Sequence, residues 1–377
     1  GFEILEQVKD VKQYIFEVKA KKDAEGNRKK VKFNPWWWFE NDCNQIFRIT
    51  CDLFKPRIFV KDNEFFVNYC GGILHYQKHK KFNEYPKEVK NAVNKMGKHV
   101  LDVLCSGDKE MWTIVMNFFS CVAIGRRMRV ILYFKSDEGT GKSTFTSFLR
   151  TYVFGNRACY ASCDADHFTG KFNAILCGKL LNFCEEMPAT TPAEWNRCGN
   201  KMKSMVTEDV LAYEEKNEKR FNALNLTSIV INTNNDSVKG GRRIVAPDVS
   251  HHRVGDIEYF NELDKACNNM IVGEAFYAWL VENAAKLSHW KEDAYKPDSE
   301  MNTQMTINSM CMVHKFLKEK YVLRRRGINC TYAKLDEELR SWNLNHSDEG
   351  RHIKGGDLWQ KMNYLNIKTT TPHGKNI

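Results

Sequence analysis

A run of five residues, Gly139-Thr-Gly-Lys-Ser143, combines the residue types that hold phosphate groups. The backbone N–H groups of a glycine-rich turn can surround an anion, and the positive end of a following helix adds to this attraction. In such a turn Lys142 would reach the β- and γ-phosphates of a nucleotide, and the Ser143 hydroxyl would bind Mg²⁺. The sequence therefore predicts a site for ATP and Mg²⁺ that consists of Ser136, Asp137, Glu138, Gly139, Thr140, Gly141, Lys142, Ser143 and Thr144.

The residues on either side of this run have the patterns of a strand and a helix. Residues 130–134 are apolar, β-branched or aromatic, as in a short buried strand. The residues after the run place Phe145, Phe148 and Leu149 on one helical face. A strand, a glycine-rich turn and a helix in this order favour a phosphate-binding loop over a chance Gly-Lys-Ser. The one departure is Ser136, where the loop pattern normally has glycine, and it concerns the turn that enters the loop.

Two consecutive acids, Glu185 and Glu186, end a second apolar run that begins at Leu180. A carboxylate at the end of such a strand can hold Mg²⁺ or its water, and the next one can orient the water that attacks a γ-phosphate. We therefore assign Glu185 as a metal ligand and Glu186 as the general base, both catalytic. The alternative is a pair of solvated acids at the end of an ordinary strand.

A third apolar run, residues 226–235, ends in amide side chains. A neutral polar side chain that lies beside a phosphate-binding loop can sense the γ-phosphate and hold the attacking water. Asn234 is our choice for this role and Asn232 is the alternative. A plain turn stabilised by the asparagines would give the same pattern.

Residues 210–225 have the pattern of two short strands around a charged tip. A hairpin of this kind could carry Lys216, Lys219 and Arg220 to a nucleic-acid backbone. Charged tips are also common where they are merely solvated, so the hairpin alone is a weak signal.

Two further arginines, Arg242 and Arg243, follow a pair of glycines. A guanidinium keeps its charge and can bind phosphate with two hydrogen bonds, which suits an arginine finger that acts on a neighbouring subunit. The sequence does not distinguish between the two arginines.

The composition limits the classes of protein that the chain can belong to. The 377 residues have a formal net charge of +10, which favours a polyanionic partner, and 42% of them are hydrophobic. No apolar run is long enough to span a membrane, and the first residues lack the pattern of a signal peptide. The 13 cysteines show no disulfide or zinc-site spacing, so we expect an intracellular, reducing compartment.

The changes of pattern along the chain predict four regions. Residues 1–85 read as a β-rich linker or accessory region, in which Trp36, Trp37 and Trp38 are more typical of a domain-interface plug than of base stacking. Residues 86–125 form a helical subdomain, and residues 126–290 form an α/β core.

Helices are expected in the rest of the chain as well. The core would close with an amphipathic helix over residues 259–289. In residues 291–377 we predict three helices, the first of which continues from Ile307 to Tyr321, with a basic corner at residues 324–326. Such a unit fits a winged-helix-like module.

Together, the phosphate-binding loop, the Glu185-Glu186 strand and the Asn234 strand resemble motifs A, B and C of superfamily 3 helicases. More narrowly, the chain is similar to the poxvirus-type primase-helicase family of large DNA viruses, phages and mobile elements. Segments outside the three motifs carry this likeness: Val103-Leu-Cys-Ser-Gly-Asp108, Gly170-Lys-Phe-Asn173, Met205-Val-Thr-Glu-Asp209, Glu215-Lys216, Arg242-Arg243, Asp248-Val-Ser250 and Gly255-Asp256. One departure is Asn217, where the family usually has glycine after the hairpin lysine.

The resemblance implies an α/β fold: an AAA+ P-loop ATPase core with a helical N-terminal collar and a small, mostly helical C-terminal domain. It also implies a homo-hexameric ring around single-stranded or forked DNA, with ATP bound between subunits. Lys142, Ser143, Glu185, Glu186 and Asn234 would then act on ATP and Mg²⁺ from one subunit, and Arg242 or Arg243 from the next. A primase domain often precedes such a core, and a polymerase is a further partner that the resemblance implies. It also implies the cytoplasm or nucleus of an infected host as the compartment.

The sequence thus favours an ATP-dependent replicative DNA helicase. One rival is a P-loop ATPase that packages, loads or remodels DNA without unwinding it. Another is a nucleic-acid-binding scaffold with a vestigial ATP site, against which the complete set of Lys142, Ser143, Glu185 and Glu186 argues.

Overall fold

The computed structural model describes residues 16–22, 28–33, 47–50, 52, 54–55, 58–62, 64–68, 70, 72–76, 78–164, 166–187, 201–202, 204–217, 220–235, 241, 243–292, 299–346, 356–365 and 367. The chain divides into two compact units, Gly1–Gly72 and Ile73–Ile377. The residues that we predict to bind nucleotide all belong to the second unit.

The described residues of the first unit form strands, in agreement with the predicted β-rich region. Strands β1 (Phe16–Lys22) and β2 (Arg28–Phe33) form an antiparallel ribbon. Strands β3 (Phe47–Thr50), β4 (Ile58–Lys61) and β5 (Glu64–Asn68) form a sheet with β5 in the centre, and β4 and β5 form an antiparallel hairpin. The three tryptophans at 36–38 lie outside the described residues.

The second unit begins with two helices whose apolar residues recur at helical spacing. Helix α1 (Lys87–His99) continues as a π-helical turn over Val100–Leu104. Helix α2 (Lys109–Ala123) starts at Asp108, whose carboxylate accepts hydrogen bonds from the N–H groups of Glu110 and Met111. A side chain of this type satisfies N–H groups that the first helical turn leaves unpaired.

The remaining elements follow in chain order. The strands are β6 (Ile131–Lys135), β7 (Cys159–Ser162), β8 (Leu181–Glu185), β9 (Val210–Tyr213), β10 (Phe221–Leu224), β11 (Ser228–Thr233) and β12 (Ile244–Val245). The helices are α3 (Lys142–Phe148, extended by a π-helical turn at Leu149–Val153), α4 (Asp166–Thr169), α5 (Ile257–Cys267), α6 (Met270–Ala284), α7 (Glu300–Ser309), α8 (Met312–Leu317, extended by a π-helical turn at Lys318–Val322), α9 (Tyr332–His346) and α10 (Asp357–Tyr364).

Five strands form a parallel sheet in the order β12-β6-β11-β8-β7. Strand β11 therefore lies between β6, which leads into the phosphate-binding loop, and β8, which ends in the acids. Every residue of β11 is buried, and so are the first four residues of β6. Continuous apolar strands are expected where helices cover both faces of a parallel sheet. The predicted α/β class is confirmed.

Strands β9 and β10 form the predicted antiparallel hairpin, with Tyr213 opposite Phe221. Leu211 and Tyr213 are buried in the same core cluster as residues of the parallel sheet. At the base of the hairpin, the Arg127 guanidinium lies 2.6 Å from the Asp209 carboxylate. One face of the hairpin is thus fixed to the core.

The expectation of one amphipathic helix over residues 259–289 was wrong, since the structure has two helices, α5 and α6. Asn269 is extended, and its side chain accepts a hydrogen bond from the N–H of Ile271 at the start of α6. Asparagine favours this capping position over a helix interior. Helix α6 is buried on most of its surface, so an apolar face alone does not describe it.

The helix predicted from Ile307 to Tyr321 is also two helices, because the chain is extended at Met310 and Cys311 between α7 and α8. Before the break, Met305 packs into the core of the sheet. After the break, Val313 packs into a separate core that α8, α9 and α10 share. Because of the break, Met305 and Val313 can pack into different cores, which one continuous helical face would not allow.

This last core consists of Val313, Phe316, Leu317, Leu335, Leu339, Trp342, Leu358 and Met362. Within residues 299–346 and 356–367 the described chain forms helices and turns and no strand, so no wing is seen there. No helix in the described part of the chain has both the length and the apolar composition to cross a membrane.

Candidate functional site

A cleft of about 270 Å³ opens where β6, β8 and β11 end. The carboxyl ends of parallel strands meet at one edge of a sheet, and ligands of such folds bind there. The cleft is lined by Glu138, Gly139, Thr140, Gly141, Lys142, Ser143, Thr144, Glu185, Glu186, Asn232, Thr233, Asn234 and Phe260. Three segments that are far apart in the sequence, and that were singled out for phosphate and metal chemistry, thus share one cavity.

The loop between β6 and α3 has the backbone of a tight turn. Gly139 and Gly141 have φ angles of +76° and +94°, which favour glycine. Ser136 does not have a positive φ, so the loop does not need glycine there. Instead, the Ser136 hydroxyl lies 2.7 Å from the Thr140 hydroxyl and accepts a hydrogen bond of 2.6 Å from Lys142 Nζ. The departure from the usual pattern therefore adds hydrogen bonds across the loop.

The Lys142 ammonium group is buried among oxygen atoms. Besides the Ser136 hydroxyl, Nζ donates to the backbone oxygens of Ser136 at 2.8 Å and Asp137 at 3.0 Å, and to Asn234 Oδ1 at 3.2 Å. Burial lowers the pKa of Lys142 to about 8, although the carboxylates of Asp137 and Glu138 partly oppose this shift. The amide chosen as the γ-phosphate sensor thus contacts the lysine chosen to hold the phosphates.

The lowered pKa of Lys142 predicts that ATP binding weakens at alkaline pH. Phosphate charge stabilises the ammonium form, so binding above pH 8 requires the uptake of a proton. We expect the Kd for ATP, measured in EDTA, to rise above pH 8 with a slope that approaches about tenfold per pH unit. In Lys142→Arg, whose charge persists, the Kd should not show this rise. A Kd of the wild type that stays constant up to pH 9.5 would contradict the shift.

The two acids differ in their surroundings. Glu185 is partly buried, and its Oε1 accepts a hydrogen bond of 3.2 Å from the Thr146 hydroxyl. Thr146 in turn accepts one of 3.2 Å from Asn232 Nδ2. This chain of side chains from α3 and β11 fixes the orientation of Glu185. Asn232 Oδ1 is buried and has no hydrogen-bond partner among the residues that the structure describes.

Glu186 is exposed and has a left-handed backbone, with φ of +55°. A residue other than glycine loses roughly 1 kcal/mol or more in this conformation. A hydrogen bond of 2.9 Å from its N–H to the Asn232 carbonyl holds the turn in place. Strained residues of this kind occur often at functional sites, where the surrounding structure enforces them.

The residues at the cleft fit a Mg²⁺ ion. Ser143 and Glu185 offer oxygen atoms, which Mg²⁺ prefers, and both line the same cavity as Lys142. In the described ranges no group of three or more His, Cys, Asp or Glu side chains could hold a metal. A site with few protein ligands is typical of Mg²⁺ that also binds the phosphates of a substrate.

Arg243 lies at the amino-terminal end of β6, whereas the cleft lies at the carboxyl ends of the strands. Its carbonyl accepts a hydrogen bond from the N–H of Ile131, at the start of β6, whereas the phosphate-binding loop follows the end of β6. Five residues of strand span about 15 Å. Arg243 is therefore too far from the cleft of its own chain to act there, and Arg242 lies outside the described residues.

Of the residues assigned to the hairpin tip, Lys216 and Arg220 are exposed, and Lys219 lies outside the described residues. Asn217 has a φ of +67°. Asparagine is one of the few residues that tolerate this conformation, so it can stand where glycine is more usual.

Sequence reasoning missed three residues that contribute to the cleft. Thr146 links Glu185 to Asn232, Phe260 forms part of the wall, and His99 contacts the backbone of the phosphate-binding loop at Gly141. None of them belongs to a motif. His99 lies in α1 and Phe260 in α5, and only the fold brings both to the loop.

The close contacts at Gly141 predict a strong effect of an added methyl group. A Cβ there would lie 2.6 Å from His99 Cε1 and 2.7 Å from Phe260 Cε1, at a backbone φ that disfavours alanine. We expect Gly141→Ala to lower the free energy of unfolding by about 2–4 kcal/mol.

At Gly97 in α1, no atom lies within 4 Å of the place that a Cβ would occupy. Gly97→Ala should therefore raise the free energy of unfolding by about 0.5–1 kcal/mol. Urea unfolding of both variants gives the comparison, and equal effects would contradict it.

A family described as a family of unknown function (DUF5906) matches residues 134–243, from the end of β6 to the start of β12. The match covers less than a third of the chain. None of the curated proteins matches.

Solved structures of the C-terminal region of NrS-1 have a similar fold. The apo structure of its residues 305–718 is 17% identical, with a TM-score of 0.59, and covers 90% of this chain and 87% of that chain. An A-form apo structure of the same region is 16% identical, with a TM-score of 0.58, and covers 88% and 85%. At this level of identity the likeness shows a common fold.

Proposed function

We propose that this chain is the ATP-hydrolysing motor of a superfamily 3 (AAA+) helicase, acting in the DNA replication of a virus or mobile element. The observation that carries the proposal is the meeting of Lys142, Glu185, Glu186 and Asn234 at one cleft, with β11 between β6 and β8. The fold shared with NrS-1, a phage protein, supports the replicative setting.

The chemistry follows from the positions of these side chains. The loop N–H groups and Lys142 bind the phosphates, and Ser143 and Glu185 hold Mg²⁺, which neutralises phosphate charge when it is bound. Glu186 orients a water molecule for attack on the γ-phosphate and accepts its proton. Asn234, which contacts Lys142, is suited to distinguish ATP from ADP because its amide can bond to the γ-phosphate or to the water.

We propose that the chain acts as an oligomer, because Arg243 cannot reach the cleft of its own chain. If Arg243 acts as an arginine finger, it acts on the cleft of a neighbouring subunit, which suits a homo-hexameric ring. The exposed hairpin tip with Lys216 and Arg220 would contact the phosphates of single-stranded DNA inside such a ring.

Steady-state ATP hydrolysis with and without single-stranded DNA tests the proposal, with the mass of the particle read by light scattering. A hexamer that hydrolyses ATP faster in the presence of DNA supports it. A hexamer that binds ATP but does not hydrolyse it contradicts the assignment of the acids. Strand displacement on forked DNA then separates a helicase from an ATPase that packages or loads DNA.

A further inference from the structure

His99, the last residue of α1, is fully buried against the phosphate-binding loop. Its Nε2 lies 3.2 Å from the carbonyl oxygen of Gly141, and its Nδ1 lies 3.0 Å from the Tyr259 hydroxyl. The Phe260 ring, which lines the cleft, meets the imidazole edge to face at 6.0 Å between centroids. One imidazole thus connects α1, the loop and α5.

The hydrogen bonds of His99 determine which of its nitrogens carries the proton. A carbonyl oxygen can only accept, so Nε2 is the N–H donor to Gly141. Burial lowers the pKa of His99, so the ring is neutral at pH 7 and Nδ1 is free to accept from the Tyr259 hydroxyl. The Gly141 carbonyl therefore sets the tautomer of His99, and the Tyr259 hydroxyl fits this tautomer as a donor to Nδ1.

Holding the Gly141 carbonyl also sets the direction of the next N–H group. The peptide bond between Gly141 and Lys142 is planar and trans, so its C=O and N–H point in opposite directions. The same carbonyl accepts a hydrogen bond of 3.3 Å from the N–H of Phe145 in the first turn of α3, and His99 is its side-chain donor. A carbonyl held by these two donors turns the Lys142 N–H away from α1. Backbone N–H groups of this loop are the ones that the proposed function assigns to phosphate binding.

Other contacts keep α1 and α5 together around His99. Lys95 in α1 lies 2.9 Å from Glu262 in α5. On the other side, the Arg253 guanidinium stacks on the Tyr259 ring at 4.5 Å and pairs with Asp256 at 2.7 Å. The first contact joins α1 to α5, and the contacts of Arg253 hold the Tyr259 ring whose hydroxyl meets His99 Nδ1.

We propose that His99 is a positioning residue of the nucleotide site, which holds the Gly141 carbonyl through Nε2–H and so aims the Lys142 N–H at the phosphates. The proposal rests on the proposed function, because it requires that the cleft bind a nucleotide. It makes helix α1, which carries no nucleotide-binding motif, a determinant of nucleotide affinity.

Two substitutions separate the role of each nitrogen. The amide nitrogen of glutamine can take the position of Nε2, whereas asparagine reaches only to the position of Nδ1. We expect His99→Asn to raise the Kd of a non-hydrolysable ATP analogue, and the KM for ATP, about tenfold, with kcat changed less. His99→Gln should stay within about threefold of the wild type. Tyr259→Phe, which removes the partner of Nδ1, should lie between them.

His79 offers a matched control, since it is a partly buried histidine that contacts a backbone carbonyl, that of His75, outside the cleft. His79→Asn should leave the Kd unchanged. Thermal unfolding of each variant shows whether it is folded, and ¹⁵N-histidine spectra of the wild type should show a neutral Nε2–H tautomer for His99.

The outcomes are distinguishable from a failure of the proposed function. A wild type that binds no nucleotide overturns both proposals. A wild type that binds nucleotide, with Gln and Asn variants that weaken binding equally or not at all, overturns only the role of His99. An Nδ1–H tautomer in the wild type would do so as well, even if the variants do not fold.

Discussion

Lys142→Ala is expected to reduce kcat/KM for ATP by at least about 10³-fold and to leave the fold intact. The ammonium group is the cation that the loop itself brings into the cleft, and stabilisation of developing charge in such a site contributes a factor of about 10²–10³ or more. The truncated side chain also removes hydrogen bonds to the backbone oxygens of Ser136 and Asp137. Initial rates over a range of ATP concentrations, together with a binding assay, give the comparison.

Lys98 provides a control for the loss of one positive charge. It is exposed on α1 and lies at 4.0 Å from Asp102, so the contact contributes little. Lys98→Ala should keep the wild-type rate. If Lys142→Ala hydrolyses ATP within tenfold of the wild type while its unfolding is unchanged, the loop is not the phosphate site.

Glu186→Gln is expected to lower kcat by about 10²–10⁴-fold while ATP binding is retained, which is the range for the loss of a general base. The amide has nearly the same shape and leaves the backbone hydrogen bond to Asn232 in place. It cannot accept the proton of the attacking water. Single-turnover hydrolysis and the Kd for ATP, measured on the same sample, separate these two effects.

Glu185→Gln is the informative comparison because the neighbouring acid is assigned a different task. We expect it to raise the concentration of Mg²⁺ needed for half-maximal activity, which Glu186→Gln should not change. If the two variants need the same concentration of Mg²⁺, the acids do not have separate roles. If only Glu186→Gln needs more Mg²⁺, the two roles are exchanged. The exposed position of Glu186 and the hydrogen bond from Thr146 to Glu185 are the structural reasons for the division.

The sequence predicts those parts of the cleft in which chemistry and local structure coincide. The glycines, Lys142 and Ser143 must follow one another, and the acids and amides must end buried strands, so each group leaves a local pattern. Thr146 and His99 leave none. A threonine in a helix and a histidine on an apolar helical face are typical of an ordinary core, and only the pairing of distant segments gives them partners.

The fold departs from the prediction at two helix boundaries, one at Met310 and Cys311 and the other at Asn269. Apolar spacing continues through Met310, so the sequence indicates one helix. The structure has two because Met305 and Val313 belong to different cores, and spacing alone does not show which core a residue joins. At Asn269 the signal for a helix start is present in the sequence, but the apolar residues around it mask the boundary.

The order of the strands has a consequence for synthesis of the chain on the ribosome. Strand β6 pairs with β11 and β12, which begin at Ser228 and Ile244. Until β11 has emerged, a nascent chain carries the apolar segment of β6 with two unpaired edges, which can pair with other chains, and one edge stays unpaired until β12 follows. At common rates of translation this interval lasts roughly 5–20 s. When many ribosomes translate this chain at once, the exposed β6 segments of different nascent chains can aggregate before the cleft forms. Slower initiation of translation, or a chaperone that binds the β6 segment, should therefore raise the yield of soluble protein.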